Sequence, residues 1–178
     1  MKYLYSLLLT LSLILPGLAW GGALMSKEDA LKLAFPEADR VETVNLFLTE
    51  DQLAQVKQRT GVILDSPIAT FYVGKKGQAI TGYAAIEAAT VRTLPETVMV
   101  VLDSDGSVRF AEILAFFEPP EYMPPKRWLE QFRKARLSPT LRVGGDIHAI
   151  TGATLSAQAI TRQVRKTTAL CEILLKGD

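Results

Sequence analysis

HAITGATLS, residues 148–156, leads directly into the most strongly periodic segment of the sequence. Small and apolar side chains recur there three or four positions apart, at Ala153, Ala157, Ile160, Val164, Thr167, Cys171 and Leu174. This spacing places them on one face of a helix that no proline interrupts, while Arg162, Arg165 and Lys166 lie elsewhere on its surface. The pattern therefore predicts a long C-terminal helix with one face packed against a core.

The residues at the start of this helix are typical of a phosphate-binding turn. The first N–H groups of a helix lack intrahelical partners and carry a partial positive charge, which stabilises a nearby anion by roughly 0.3–1 kcal/mol. Gly152 lets the main chain approach a ligand closely because it has no Cβ. Alternatively, Thr151, Thr154 or Ser156 only caps the helix, which contributes about 1 kcal/mol to stability. On these residues alone, capping is the simpler interpretation.

The segment TGATLS, residues 151–156, resembles the Ser/Thr-Gly-Ala-Thr-x-Ser/Thr motif of the FMN-binding domain family. This family includes the C subunit of the sodium-pumping NADH:quinone reductase and the G subunit of the Rnf complex, and a weaker similarity extends over residues 117–132. The resemblance implies that FMN is the cofactor and that a separate flavin transferase joins its phosphate to Thr154. It also implies contacts between FMN and the other residues of the motif, which are Thr151, Gly152, Ala153, Leu155 and Ser156.

Residues outside the motif also enter the predicted flavin site. Glu118 is similar in position to a family glutamate near the flavin, and Tyr122 and Trp128 are candidates to flank the ring, although core packing is the more common role for Trp128. The family has an aspartate three residues before the motif, where this sequence has His148, and the nearest acid is Asp146. His148 is therefore a candidate site residue, and the resemblance leaves covalent and non-covalent FMN both open.

Composition limits the classes of protein to which the chain belongs. With 178 residues and 48% hydrophobic residues, it is long enough for one domain with a sizeable core, predicted over residues 24–178. Its 20 basic and 19 acidic side chains give a net charge of +1, so the sequence lacks the basic surplus of nucleic-acid-binding proteins.

The N-terminal segment has the features of an export signal. Lys2 precedes an apolar run over residues 3–15, and residues 17–19 supply the small residues of a cleavage site. We therefore expect a signal peptide over residues 1–19 and a periplasmic or other extracytoplasmic protein. The alternative is a retained membrane anchor extending through Trp20.

The sequence offers few residues for other cofactors or for catalysis. Cys171, the only cysteine, has no partner for an internal disulfide and suits a buried position, and the absence of paired cysteines excludes c-type haem and cysteine-bound iron–sulfur clusters. His148 is the only histidine, and neither a metal site nor a catalytic constellation forms around it by local spacing. Asp103 and Asp105 stand in a calcium-like turn that lacks the further ligands of an EF-hand.

Local signals place the remaining elements. Hydroxyl residues three positions before an acid or amide, at Ser26 and Thr49, predict helices over residues 26–35 and 50–59. Alternating and β-branched runs predict strands over 41–48, 68–73, 78–91, 97–102 and 108–117, with turns at 74–77 and 103–106, and a proline-rich loop at 118–125 precedes a short helix. The predicted fold is a single α+β domain, a twisted and mainly antiparallel sheet with flanking helices.

The predicted function is extracytoplasmic electron transfer by an exported flavoprotein. Its expected partners are the flavin transferase and a membrane redox complex or cytochrome. One alternative is a non-redox accessory module whose helix start binds an anion. Another is a flavin-dependent reductase with its own small acceptor, although no substrate-binding residues are evident in the sequence.

Overall fold

The computed structural model describes residues 22–175 and shows an α+β domain built on one six-stranded sheet. The strands are β1 (Gly22–Ala23), β2 (Arg40–Phe47), β3 (Ile68–Lys76), β4 (Ala79–Thr90), β5 (Pro95–Leu102) and β6 (Val108–Phe116). Their order in the sheet is β1-β6-β5-β4-β3-β2, and every neighbouring pair is antiparallel. The predicted fold class is confirmed. The predicted signal segment, residues 1–19, lies outside the described residues.

The turn between β3 and β4 differs from its prediction. The sequence indicated a turn at residues 74–77, but β3 continues through Lys76 and the turn lies at Gly77 and Gln78. Gly74 lies within the strand, where glycine is required because an added Cβ would lie 2.4 Å from the ring of Phe35. This glycine therefore makes room for a packed aromatic side chain, whereas Gly77, with a φ of 58°, forms the turn.

The two early helices begin where their capping residues predict. In α1 (Lys27–Ala34) the N–H of Asp29 donates to Ser26 Oγ, and in α2 (Glu50–Thr60) Thr49 and Gln52 satisfy each other's backbone N–H groups. Gly61 ends α2 in the left-handed conformation. Both predicted helices are thus confirmed.

The C-terminal half contains the other two α-helices. The segment predicted as a proline-rich loop includes a short 3-10 helix (Pro120–Tyr122), and the four-residue helix α3 (Lys126–Leu129) follows it and continues into a second 3-10 helix (Glu130–Phe132). The long helix α4 (Thr154–Leu170) ends in a π-helical turn, Cys171–Leu175. Cys171 is fully buried on the packed face, as predicted. Within residues 22–175, no helix combines the length and the apolar character that a membrane crossing requires.

Helices cover both faces of the sheet. Successive residues of β5 point to opposite faces, so its nearly continuous apolar sequence serves two clusters. Val98, Val100 and Leu102 pack with Ala157, Ile160 and Val164 of α4. Met99 and Val101 pack with Ala30 and Ala34 of α1. The larger cluster thus fixes α4, and with it the residues of the predicted site, against β5.

Candidate functional site

The start of α4 has no side-chain cap. Ala153 precedes the first helical residue, and no hydroxyl group accepts a hydrogen bond from the first turn. The capping interpretation of Thr151, Thr154 and Ser156 is therefore not what the structure shows. The N–H groups of the first turn keep their partial positive charge and remain suited to an anion.

The Thr154 hydroxyl is exposed at this helix start. Its Oγ1 donates to the carbonyl oxygen of Ile150 at 3.2 Å, which orients the oxygen while leaving its lone pairs without a donor among the described residues. An exposed and oriented hydroxyl is accessible to a modifying enzyme. This geometry suits the role that the motif implies for Thr154.

The Ser156 hydroxyl lies two residues after Thr154 in the helix and is buried. The residue is 1% exposed, and its Oγ has no hydrogen-bond partner among residues 22–175. Buried hydroxyl groups in proteins are nearly always paired, so this unpaired oxygen indicates a missing partner. A bound phosphate oxygen is one group that fits.

Position 152 requires glycine because of its backbone conformation, which the sequence analysis did not predict. Its φ is 87°, in the left-handed region, and an added Cβ would have no atom within 4 Å. Backbone conformation therefore favours glycine here, whereas crowding by the chain itself does not. The space beside Gly152 is open to a ligand.

A cavity of about 230 Å³ opens at the helix start. Residues 152–156 line it together with Arg92 and Tyr122, which come from distant parts of the sequence. The Arg92 guanidinium lies 4.8 Å from the centre of the Tyr122 ring and forms no ion pair within the described part of the chain. The structure thus brings the predicted Tyr122 to the motif and adds a cation that sequence analysis missed.

Glu118 lies beneath the loop that carries Arg92. Its Oε1 accepts the backbone N–H groups of Thr93, Leu94 and Arg92 at 2.8, 2.9 and 3.1 Å, and these bonds lower the pKa of the carboxyl. Glu118 is 3% exposed and does not line the cavity. Its position indicates that it shapes the Arg92 loop.

His148 and Thr151 also lie outside the cavity lining, and both are exposed. The main chain of His148 is held firmly, since its N–H donates to Gln131 Oε1 at 2.8 Å and its carbonyl accepts the indole N–H of Trp128 at 2.7 Å. Trp128 is 6% exposed and meets Phe132 edge-to-face. Trp128 therefore packs in the core, the more common of its two predicted roles.

Glu96 is a further polar residue of this region that sequence analysis missed. It is fully buried, and neither carboxyl oxygen has a hydrogen-bond partner among residues 22–175. Burial raises its pKa to about 8, an effect that the nearby Arg162 opposes and Glu118 reinforces. Glu96 is the second residue of β5 and directly precedes its apolar run. A single acidic residue in an otherwise apolar strand is the signal from which sequence analysis could have identified it.

An uncapped helix start, an unpaired buried hydroxyl, a guanidinium without an ion pair among residues 22–175 and an aromatic ring together suit an anionic ligand with an aromatic part. Residues 94–169 match the family described as FMN-binding domain. This segment contains β5, β6, α3 and most of α4, and it includes the whole TGATLS motif. The match confirms the resemblance and indicates FMN as the cofactor. No curated protein matches the sequence.

The residues at the helix start fit FMN. The N–H groups of the first turn, Ser156 Oγ and Arg92 suit the phosphate, and Tyr122 offers an aromatic face to the ring system. Among residues 22–175, the side chains that line this cavity include a cation and no carboxylate, which favours an anion. The roles of the individual site residues stay predictions.

Proposed function

We propose that this protein is an exported flavoprotein that carries FMN on Thr154 and transfers electrons outside the cytoplasm. The observation that carries the proposal is the exposed Thr154 hydroxyl at an uncapped helix start, in a cavity that also contains Arg92 and Tyr122. The export signal predicted at residues 1–19 supports the location. The expected partners are a flavin transferase and a membrane redox complex or cytochrome.

Attachment requires one phosphoryl transfer and no oxidation or reduction. Thr154 Oγ1 attacks the phosphorus of the FMN half of FAD, the P–O bond of the pyrophosphate breaks, and adenosine monophosphate leaves with the electron pair. The hydroxyl proton passes to a base. This base belongs to the transferase in our proposal, because no carboxylate or histidine lines the cavity. The product is a phosphodiester on Thr154.

The site residues then have separate tasks. The first-turn N–H groups and Arg92 stabilise the negative charge that the phosphodiester retains. Tyr122 covers part of the ring system. When bound, FMN supplies reversible electron acceptance, and the protein sets its exposure and orientation. A covalent bond holds the cofactor in a compartment where a dissociated flavin is lost by dilution.

The presence of His148 in place of the family aspartate concerns the covalent attachment of FMN rather than the binding of its phosphate. The histidine side chain is exposed and outside the cavity, so the features that suit a phosphate do not depend on it. Non-covalent FMN is therefore the nearest alternative. A non-redox anion-binding module is the second, since an uncapped helix start with an unpaired Ser156 hydroxyl suits other anions as well.

The test is to produce the exported protein together with a flavin transferase and to examine it before and after denaturation. We expect flavin fluorescence that remains with the denatured polypeptide, is absent in Thr154→Ala and persists in Thr151→Ala, the matched control. Fluorescence that is lost on denaturation supports non-covalent FMN. A protein without flavin in either state overturns the flavoprotein and favours the anion-binding module.

A further inference from the structure

A second cavity lies along α4, away from the helix start. It has a volume of about 330 Å³ and shares no lining residue with the first cavity. Three arginines line it, Arg142 from the preceding loop and Arg162 and Arg165 from α4. Thr60, Gln158 and Thr161 add polar groups to the lining. We call this cavity the arginine groove.

None of the three arginines pairs with a carboxylate among the described residues. Arg142 and Arg162 are exposed, and their side chains form no hydrogen bond within residues 22–175. Arg165 donates to the carbonyl oxygens of Ser138, Leu141 and Arg59 at 2.8–3.0 Å. These acceptors are uncharged, so they fix the guanidinium in place without neutralising it.

The acidic groups around the groove form no ion pair with its arginines within residues 22–175. Asp146, in the same loop as Arg142, accepts the hydroxyl groups of Thr140 and Ser138 at 2.9 and 3.4 Å. Glu172 forms its ion pair with Arg59. Glu96, whose titration Arg162 influences, is protonated at neutral pH because burial raises its pKa to about 8. Three arginines without a paired carboxylate around one cavity attract an anion.

The side chains of the groove specify the kind of anion. Guanidinium groups present paired N–H donors that match the oxygens of a phosphate, and those of Arg142 and Arg162 have no partner among residues 22–175. Arg165 contributes positive charge, since most of its donors bind backbone carbonyl oxygens. The exposed Gln158 adds amide donors at the rim. The volume falls in the range of roughly 300–1,000 Å³ that small-molecule sites occupy.

The groove is distinct from the proposed flavin attachment point but lies on the same helix. Arg162 follows Thr154 by eight positions, which corresponds to about 12 Å along a helix. The two cavities also share no lining residue, so a phosphate at the helix start lies outside the arginine groove. We propose that the arginine groove is a second anion site, which binds the phosphoryl group of a small phosphorylated ligand.

The experiment uses the full exported chain produced without flavin, both as the parent protein and as Arg92→Gln, in which anion binding at the helix start is weakened. Each protein and its groove variants are titrated with inorganic phosphate and with adenosine monophosphate by calorimetry. We expect saturable binding that Arg142→Gln and Arg162→Gln each weaken by roughly tenfold or more, because each change removes charge-assisted hydrogen bonds. Arg127→Gln, which alters an exposed arginine of α3 outside both cavities, is the matched control and leaves binding unchanged. Tighter binding of the nucleotide shows that the cavity also accepts the rest of the ligand, and equal binding shows that only the phosphoryl group is recognised.

Three results overturn the proposal: no saturable binding of either probe, binding in the Arg92→Gln protein that both groove variants retain, or binding that Arg92→Gln alone abolishes. The last result places the anion at the helix start. Since Arg142 and Arg162 have exposed and unpaired side chains, their variants are expected to fold, which circular dichroism checks. Flavin loading is scored separately, so failure of one proposal leaves the other standing.

Discussion

The helix starts in the first third of the chain differ from the region where α4 meets β5. Ser26 and Thr49 each accept a first-turn N–H group, so α1 and α2 begin with their donors satisfied. The first turn of α4 has no cap, and Ser156 and Glu96 have buried oxygens without partners in the described structure. Polar groups left unsatisfied together are typical of a functional site rather than of a stabilising one.

The contrast also holds within α4. Thr161 and Thr168, deeper in the helix, donate to carbonyl oxygens four residues earlier at 2.7 and 2.8 Å. The Ser156 hydroxyl, which lines the cavity, has no such bond among residues 22–175. Two buried hydroxyls deeper in the helix are thus satisfied within it, whereas the buried hydroxyl beside the cavity is not.

The largest effect is expected at Glu96. Its pKa is about 8 in the folded protein and near 4.5 when unfolded, so the folded state binds the extra proton and stability falls as pH rises between these values. The loss between pH 4.5 and pH 7 amounts to about 3 kcal/mol. Urea unfolding of Glu96→Gln is expected to lack this pH dependence, while the exposed Glu121→Gln retains it. If the free energy of unfolding changes with pH equally in Glu96→Gln and in the parent protein, folding does not raise the pKa of the Glu96 carboxyl.

The next effect is expected at Glu118, whose carboxylate satisfies three backbone N–H groups. Glu118→Ala leaves these donors unpaired and releases the Arg92 loop, so both the thermal midpoint and FMN affinity should fall. Because the pKa of Glu118 is lowered in the folded state, its contribution is present above its unfolded pKa and is lost as pH falls. Glu121→Ala is the control. Equal thermal midpoints and equal FMN affinities in Glu118→Ala and Glu121→Ala would show that Glu118 does not support the site.

A smaller effect separates the two kinds of helix start. Thr49→Ala removes a reciprocal cap and should lower the free energy of unfolding by about 1 kcal/mol. Thr154→Ala removes no cap and is expected to change the stability of the flavin-free protein by less than half of that amount. Denaturant titration of both variants measures the difference. A Thr154→Ala variant as destabilised as Thr49→Ala would restore the capping interpretation.

The smallest effect on stability is expected for Ser156→Ala. The change removes a buried hydroxyl that has no partner, so the flavin-free protein should stay within about 0.5 kcal/mol of the parent or become slightly more stable. FMN binding, measured by fluorescence quenching, should weaken because a donor to the phosphate is lost. Unchanged FMN affinity would mean that the Ser156 hydroxyl does not face the ligand.

The sequence predicts this molecule well where the controlling interactions are local. The caps at Ser26 and Thr49, the periodicity of α4 and the TGATLS motif each lie within a few residues or one element, and the corresponding elements formed as expected. The predicted turn at Gly74 was wrong because this glycine makes room for the ring of Phe35, which comes from a distant segment of the sequence.

The residues that sequence analysis missed depend on tertiary structure. Arg92 lines the cavity from the loop between β4 and β5, which Glu118, two residues after β6, holds by hydrogen bonds. The burial of Glu96 likewise depends on the packed structure and not on neighbouring residues in the sequence. The arginine groove combines residues 60, 142 and 158–165, and no local spacing joins these segments.

The most direct measurement of the flavin assignment is the mass of the proteolytic peptide that contains Thr154, taken from protein isolated with its transferase. We expect this peptide to be heavier by the mass of FMN less one water, with fragmentation that assigns the added mass to Thr154. An unmodified Thr154 peptide from fully processed protein, made in cells whose transferase loads a known acceptor, contradicts the assignment.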